Sequence, residues 1–205
     1  MVSLMSDHYF SAAPGSAHNR RQLRVSLGGQ ERLLNTDSGI FSPEGIDKGA
    51  AVLLAEAPAP ASDGDLLDIG CGWGPIALTL ALKSPQARIH AVDVNERSLA
   101  LTAENAAALG LGNVQVSQPD ELDPSIRFQT IWSNPPIRVG KDVLHHILRT
   151  WLPRLTPSGT AYLVVQKNLG SDSLQRWITE EFADLEVRRF STAKSFRILE
   201  VRHRD

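Results

Sequence analysis

From residue 66 onward, short apolar runs alternate with helical ones, and this alternation limits the possible folds more than any other feature. "LLDI" reads as a strand and "PIALTLALKS" as a helix; "RIHAVD" is a strand and "ERSLALTAENAAALG" a helix stopped at Gly110. "NVQVS" and "FQTIWS" are further strands. "DVLHHILRTWL" is a helix that Asp142 can cap and Pro153 closes. After a turn at "TPSG" come the strand "TAYLVV" and the helix "SLQRWITEEFA". "LEVRRF" and "FRILEVR", joined by "STAKS", end the series. Strands separated by helices of this length form a mostly parallel sheet covered on both faces. The last two strands must run antiparallel, because a short turn cannot supply a parallel crossover. The expected fold class is α/β, with a mostly parallel seven-stranded sheet and an antiparallel C-terminal strand pair.

The first sixty residues read differently. "LRVSLGGQERLLN" places Gly-Gly between two short alternating runs, the pattern of a β-hairpin. Ser42 followed by Pro43 reads as a helix start, a hydroxyl cap and then proline at the first helical position. Ile46, Ala50 and Leu53 recur at helical spacing, and "APAPASDGD" (57–65) ends that helix. Residues 1–60 are therefore expected to form a hairpin-and-helix extension on a main unit spanning 61–205, the whole being one structural domain. With 205 residues the chain can bury one sizeable core.

Net charge of −2 advertises neither a nucleic-acid nor a membrane partner, although local patches exist. The last twenty residues hold six Lys/Arg against three Asp/Glu, and "HNRRQLR" (18–24) holds three arginines. A solvated basic edge and an RNA-facing patch both fit. The single cysteine, Cys71, excludes an intrachain disulfide and fits a reducing compartment. "MVSLMSDHYF" lacks a charged n-region and a long apolar run, so no signal peptide is expected. No stretch approaches 18 apolar residues. Cytoplasm is the expected location. His145 and His146 have no cysteine or carboxylate at ligand spacing, and no metal is expected.

"LLDIGCGWGP" sets Gly70, Gly72 and Gly74 directly after a strand, with a helix beginning near Pro75. In open α/β sheets ligands bind beyond the carboxyl ends of strands. Pro75 occupies the place of the third glycine in a dinucleotide fingerprint, and no Gly-Lys-Ser/Thr follows. The pattern is instead D-x-G-x-G-x-G, starting at Asp68. Asp93 ends the next strand, where a carboxylate can accept hydrogen bonds from both hydroxyls of a ribose. Asp120 follows the third strand and can meet an adenine amino group. Tight turns with solvated carboxylates are the plainer alternative.

The loop, the ribose acid and the closing antiparallel strands resemble a class I S-adenosylmethionine (SAM) methyltransferase, a Rossmann-like fold. The resemblance implies that SAM is the cofactor, held by Asp68, Gly70, Cys71, Gly72, Gly74, Asp93, Asp120 and Asn134. "NPP" (134–136) resembles the Asn/Asp-Pro-Pro-aromatic motif of enzymes that methylate nitrogen in a planar π-system. Such a nitrogen is a poor nucleophile because its lone pair is delocalised. The Asn134 amide oxygen and the Pro135 carbonyl can each accept one N–H, fixing the amine and favouring its pyramidal form. Pro135 and Pro136 preset the backbone for this task. No strong base is required, since the proton leaves after transfer.

Position 137 departs from that motif: Ile137 stands where an aromatic stacks on the target base. "HYFS" (8–11), "TDSGIFS" (36–42) and "DKG" (47–49), with "DIGCGWG" and "NPPIRVGKDVLH", resemble the methyltransferase small domain of bacterial rRNA guanine-N2 methyltransferases. The version here is similar to that of single-domain archaeal relatives. This resemblance spans Tyr9 to about Val201. It places Phe41 in the wall of the target pocket, as a substitute stacking surface or as a buried core aromatic. The bacterial enzymes carry an additional N-terminal domain that this chain is expected to lack. RNA would then be met by the basic residues Arg138, Lys141, Arg188, Arg189, Lys194 and Arg197, with Arg138 and Lys141 nearest the chemistry. The implied function is methylation of an exocyclic amine of RNA, guanine N2 of rRNA first. An adenine amine, a protein glutamine amide or a catalytically silent SAM-fold module are the alternatives.

Overall fold

The computed structural model describes residues 17–204; "HYFS" (8–11) lies outside them. The chain opens with a hairpin of β1 (Arg21–Leu27) and β2 (Gln30–Thr36). Gly28 and Gly29 at its tip both have positive φ (61° and 78°), which a two-residue turn between right-twisted strands needs. Then follow α1 (Lys48–Glu56), β3 (Asp65–Ile69), α2 (Pro75–Lys83), β4 (Arg88–Val92), α3 (Glu96–Ala108) and β5 (Val114–Ser117). The second half comprises β6 (Phe128–Ser133), α4 (Lys141–Trp151), β7 (Leu155–Gln166), α5 (Ser171–Glu181), β8 (Leu185–Ala193) and β9 (Phe196–His203).

The main sheet has seven strands in the order β5-β4-β3-β6-β7-β9-β8. β3 through β7 are parallel, and β9 runs antiparallel between β7 and β8. The chain winds outward from β3 to β5, then returns to place β6 on the other side of β3. Strand order therefore reverses between β3 and β6. The two strands stay paired to Ile69 and Ser133, but the helices that follow them pack on opposite faces of the sheet, and ligands of open α/β sheets bind in the crevice this leaves. "GCGWG" follows β3 and "NPP" follows β6, so the two motifs meet at the reversal.

Both faces of the sheet are covered, which explains the continuous apolar runs of the parallel strands. Leu66, Ile89, Trp132 and Val164 face α1 and α2, packing on Leu53, Ala77 and Leu80. Leu67, Ile131, Leu163 and Leu199 face α4 and α5, packing on Leu148, Trp151 and Ile178. The hairpin adds a third cluster, in which Leu27, Leu34 and Ile40 meet Trp73, Leu78 and Leu101. α3 stops as expected at Gly110, which takes φ 69°. Leu111 N–H donates to Ala106 O (2.9 Å) and Gly110 N–H to Ala107 O (3.0 Å), completing a Schellman cap.

Local expectations are corrected at Ser42, Asp142, the "TPSG" turn and the β8–β9 turn, while Pro153 closes α4 as expected. Ser42 does not cap α1. Its hydroxyl donates to Gly45 O (2.8 Å) in a turn, and Asp47 caps the helix by accepting from Gly49 and Ala50 N–H. A Ser-Pro pair serves turns as readily as caps, and Asp47 stands where the first free N–H groups are. Asp142 lies inside the first turn of α4, whose N-cap is Gly140, where its charge favours the helix dipole rather than capping the end. Pro153 sits in a single 3-10 turn (Leu152–Arg154) after α4. "TPSG" is a bulge within β7: Leu155 pairs with Phe128, and the register resumes at Thr160 with Thr130. The β8–β9 turn is only Lys194-Ser195, with Lys194 at φ 54°.

Candidate active site

The glycine loop is held mostly by its own neighbours. Gly70 and Cys71 N–H both donate to Val92 O (2.8 and 3.0 Å), and Gly74 N–H donates to Cys71 O (2.9 Å). Gly72 N–H donates to the Asp93 carboxylate (2.9 Å). Gly70 and Gly74 serve different needs. Among the described residues a Cβ on Gly70 would meet nothing within 4 Å, so glycine is there for its φ of 76° and leaves space beside the loop. A Cβ on Gly74 would lie 3.1 Å from Thr102 Oγ1, so glycine also lets α2 and α3 approach closely.

Asp68 is fully buried at the end of β3. Its Oδ2 accepts from Ala77 N–H (2.9 Å) at the start of α2, where Gly74 has no side chain to cap with. Among the described residues its Oδ1 has no hydrogen-bond partner. Burial, against the Ala77 bond and with the nearby Asp93 charge adding to it, pushes the carboxyl up to about 8. A proton is thus held by the folded chain but released on unfolding at neutral pH. Stability from this group is full below the ordinary value near 3.8 and is lost as pH rises through about 8. The slope is at most about 1.4 kcal/mol per pH unit. Asp68→Asn, which can still accept from Ala77, is expected to show a shallower loss of stability from pH 5 to pH 8 in urea unfolding. An unchanged slope would contradict a protonated Asp68. Burial likewise raises the Cys71 thiol well above its ordinary value, so it is unreactive at neutral pH.

Asp93 follows β4. Besides Gly72, it accepts from Asn95 N–H (2.9 Å) and Val94 N–H. Burial raises its carboxyl despite these donors. Asn95 caps α3 through Oδ1 and donates from Nδ2 to Gly39 O (2.9 Å), tying the "GIFS" loop to the acid loop. Trp73, in the glycine loop, donates to Ser42 O (3.2 Å). The "GIFS" loop is thus fastened to both motifs. The buried Asp37 before it accepts from His18 (2.5 Å), Asn19 N–H and Ser38 N–H. Burial opposes this charge, but the three donors hold the carboxyl below the usual range.

Asn134 stands at the end of β6, half-buried. Its Nδ2 donates to Asp47 Oδ2 at 2.8 Å. Pro135 is buried, and its carbonyl accepts from Ile137 N–H (2.9 Å) across Pro136, whose φ −75° and ψ 77° form an inverse γ-turn. One lone pair of that carbonyl is therefore engaged within the loop, and one remains. Phe41, Asp47, Gly70, Gly72, Ile76 and Asn134 line a single cleft, which Cys71 also borders. Asp120 is exposed beyond β5, outside the cleft lining. Ile137 packs against the apolar cluster under α4. Arg138 and Lys141 are exposed beside that turn, and among the described residues neither forms an ion pair. Arg188 pairs with Glu200, and Arg189 and Arg197 share Asp172, so these three arginines are partly neutralised. Lys194 sits exposed in the β8–β9 turn. His145 stacks on Trp177, with centroids 3.7 Å apart.

Asp47 and Trp73, which line the cleft, and Asn95, which ties the loops around it, are candidate site residues that sequence reasoning missed. Asp47 lay within the quoted "DKG", yet its bond to Asn134 joins residues 87 positions apart.

A glycine loop after β3, an acid after β4 and "NPP" after β6, on this strand order, give the Rossmann-like architecture of class I methyltransferases. Residues 31–200 match the model of the methyltransferase small domain, and the chain belongs to that family. It is 37% identical over 186 residues to the Bacillus subtilis (strain 168) protein titled "Uncharacterized protein YbxB", covering 89% of this chain and 92% of that one. Ribosomal RNA small subunit methyltransferase C of Aeromonas hydrophila is 34% identical over 116 residues, covering 57% of this chain. The chain spans only 33% of that protein's length. Among solved structures, the T. thermophilus 16S rRNA N2 G1207 methyltransferase in complex with AdoMet and guanosine superposes with a TM-score of 0.77. It is 23% identical, with 93% of this chain and 52% of that one covered. M. jannaschii TYW2 in complex with AdoMet gives a TM-score of 0.59 at 16% identity, with 88% and 84% covered. Among the described residues no helix is long and apolar enough to cross a membrane.

Proposed function

We propose that this chain is a SAM-dependent N-methyltransferase acting on an exocyclic amino group of RNA, with guanine N2 of ribosomal RNA as its target. The observation that carries this reading is the meeting of Asn134 with the glycine loop in one cleft at the strand-order reversal. The residues there suit SAM. The open space beside Gly70 and Gly72 can admit its amino-acid portion. The Asp93 carboxylate, at the end of β4, can accept from ribose hydroxyls while still bracing Gly72. Asp68 braces the loop from below, and Cys71 and Gly74 shape it. Asp120 can close over adenine from the β5 loop. Bound SAM supplies an electrophilic methyl group.

The chain's own residues then handle the acceptor. Asn134 Oδ1 takes one N–H of the amine, and the free lone pair of the Pro135 carbonyl takes the other. Pro136 and its γ-turn keep that carbonyl in place. Phe41, on the cleft wall, offers an aromatic face to the base, a role Ile137 leaves open by packing inward. Arg138, Lys141 and Lys194 are charges available to phosphates, which position RNA without reading its sequence. Ribosomal RNA methyltransferases among the relatives support ribosomal RNA as the substrate, and the lone buried Cys71 is compatible with a cytoplasmic location. Calorimetric titration with SAM tests the first half of the reading; absence of binding at millimolar SAM would overturn it.

A further inference from the structure

We infer that Asp47 is a positioning residue for the transfer reaction, setting which end of the Asn134 amide faces the acceptor. This inference rests on the proposed N-methyltransferase function for its consequence, though not for its geometry. An amide side chain has a donor end and an acceptor end of nearly equal shape. Nothing intrinsic to Asn134 decides which end points into the cleft. Asp47 decides it. An ionised carboxylate only accepts, so the Asn134 atom 2.8 Å from Asp47 Oδ2 is the NH2 group. Oδ1 is thereby turned the other way. Among the described residues Oδ1 has no hydrogen-bond partner, and Asn134 lines the cleft. The flipped amide would turn its NH2 toward the acceptor's own NH2, donor facing donor, and its oxygen toward the Asp47 carboxylate, acceptor facing acceptor.

Two features show that this contact is built rather than incidental. Asp47 is itself fixed, because the same Oδ2 accepts from Gly49 N–H (2.7 Å) and Ala50 N–H (3.4 Å) at the start of α1. The helix end thus holds the carboxylate, and the carboxylate holds the amide. The approach also needs glycine at 49. A Cβ there would lie 2.8 Å from Asn134 Oδ1, 3.0 Å from Asp47 Oδ2 and 3.2 Å from Phe196 Cε1. Gly49 therefore leaves the room that the oriented oxygen occupies.

The two duties of Asp47, helix cap and amide clamp, separate by substitution. Serine caps helices well but its hydroxyl is one bond shorter than a carboxylate oxygen. Asp47→Ser should keep α1 and release Asn134. Asp47→Asn offers one oxygen, which the Gly49 and Ala50 N–H groups select, so it restores the clamp. With tritiated SAM and undermodified ribosomal subunits, Asp47→Ser is expected to lose about 100-fold in kcat, as small misplacements of reacting groups do. Its SAM Kd should stay within about threefold and its Tm within a few degrees. Asp47→Asn should recover most of the lost turnover. Wild-type kcat in Asp47→Ser would overturn the inference, as would equal loss in both variants. In parallel, the Asn134 side-chain amide is followed by 15N–1H NMR without any acceptor. Its resonance should shift and exchange faster in Asp47→Ser only. If wild type transfers no methyl, the functional reading fails, and an unmoved Asn134 resonance would separately refute the clamp.

Discussion

Asn134→Ala is expected to lower methyl transfer by about 10²–10³-fold while leaving SAM affinity within a few-fold, as removal of one preorganised polar group from a reacting centre does. The substitution removes the amide oxygen proposed to face a flat amine in the cleft. It leaves β6, the γ-turn at Pro136 and the glycine loop untouched, because the only side-chain hydrogen bond Asn134 makes among the described residues is to Asp47. Single-turnover transfer and calorimetry on the same preparation check the split. Equal loss of turnover and SAM binding would make Asn134 a cofactor residue instead.

Asp93→Ala should produce the opposite pattern. Its carboxylate organises the N–H groups of Gly72, Val94 and Asn95, and so fixes the glycine loop against the acid loop. Losing these charge-assisted bonds together with the two proposed ribose bonds should weaken SAM binding by about 100-fold, close to 2.7 kcal/mol. At saturating SAM, transfer should largely recover. Wild-type SAM affinity should also decline as pH falls. Burial raises the Asp93 carboxyl, so it takes up a proton at higher pH than an exposed acid and can then accept fewer bonds. Calorimetry at pH 8 and pH 5 measures this. Unchanged affinity in Asp93→Ala would move the ribose contact elsewhere.

The sheet was legible because each strand is a short apolar run bounded by turn residues, and the helices between them are too long for hairpins. The position of the site followed too. Gly70, Gly72 and Gly74 directly after one strand, and Asn134-Pro135-Pro136 directly after another, declare strand ends, and strand ends are where such sheets bind ligands. Sequence alone could not say that β3 and β6 would be neighbours, because their pairing depends on the direction of the chain's return. Asp47 was invisible for the same reason: its partner is 87 residues away. The Ser42 error was local. Ser-Pro fits a cap and a turn equally, and the choice was made by Asp47 lying nearer the first unpaired N–H groups of α1. For the Pro135 carbonyl, the sequence indicated a rigid acceptor but not that Ile137 N–H would occupy half of it. Ile137 itself faces the core because its apolar side chain completes the cluster under α4.

The central claim is that Asn134 presents an RNA amine to a methyl donor. Incubation of the protein with tritiated SAM and, separately, undermodified ribosomal subunits, naked rRNA, DNA and protein extract tests it most directly. Nuclease and nucleoside analysis of the labelled product completes the measurement. The expected result is label in ribosomal RNA, recovered as N2-methylguanosine, and absent with Asn134→Ala. Label in DNA or protein, or label in RNA that survives Asn134→Ala, would contradict the account.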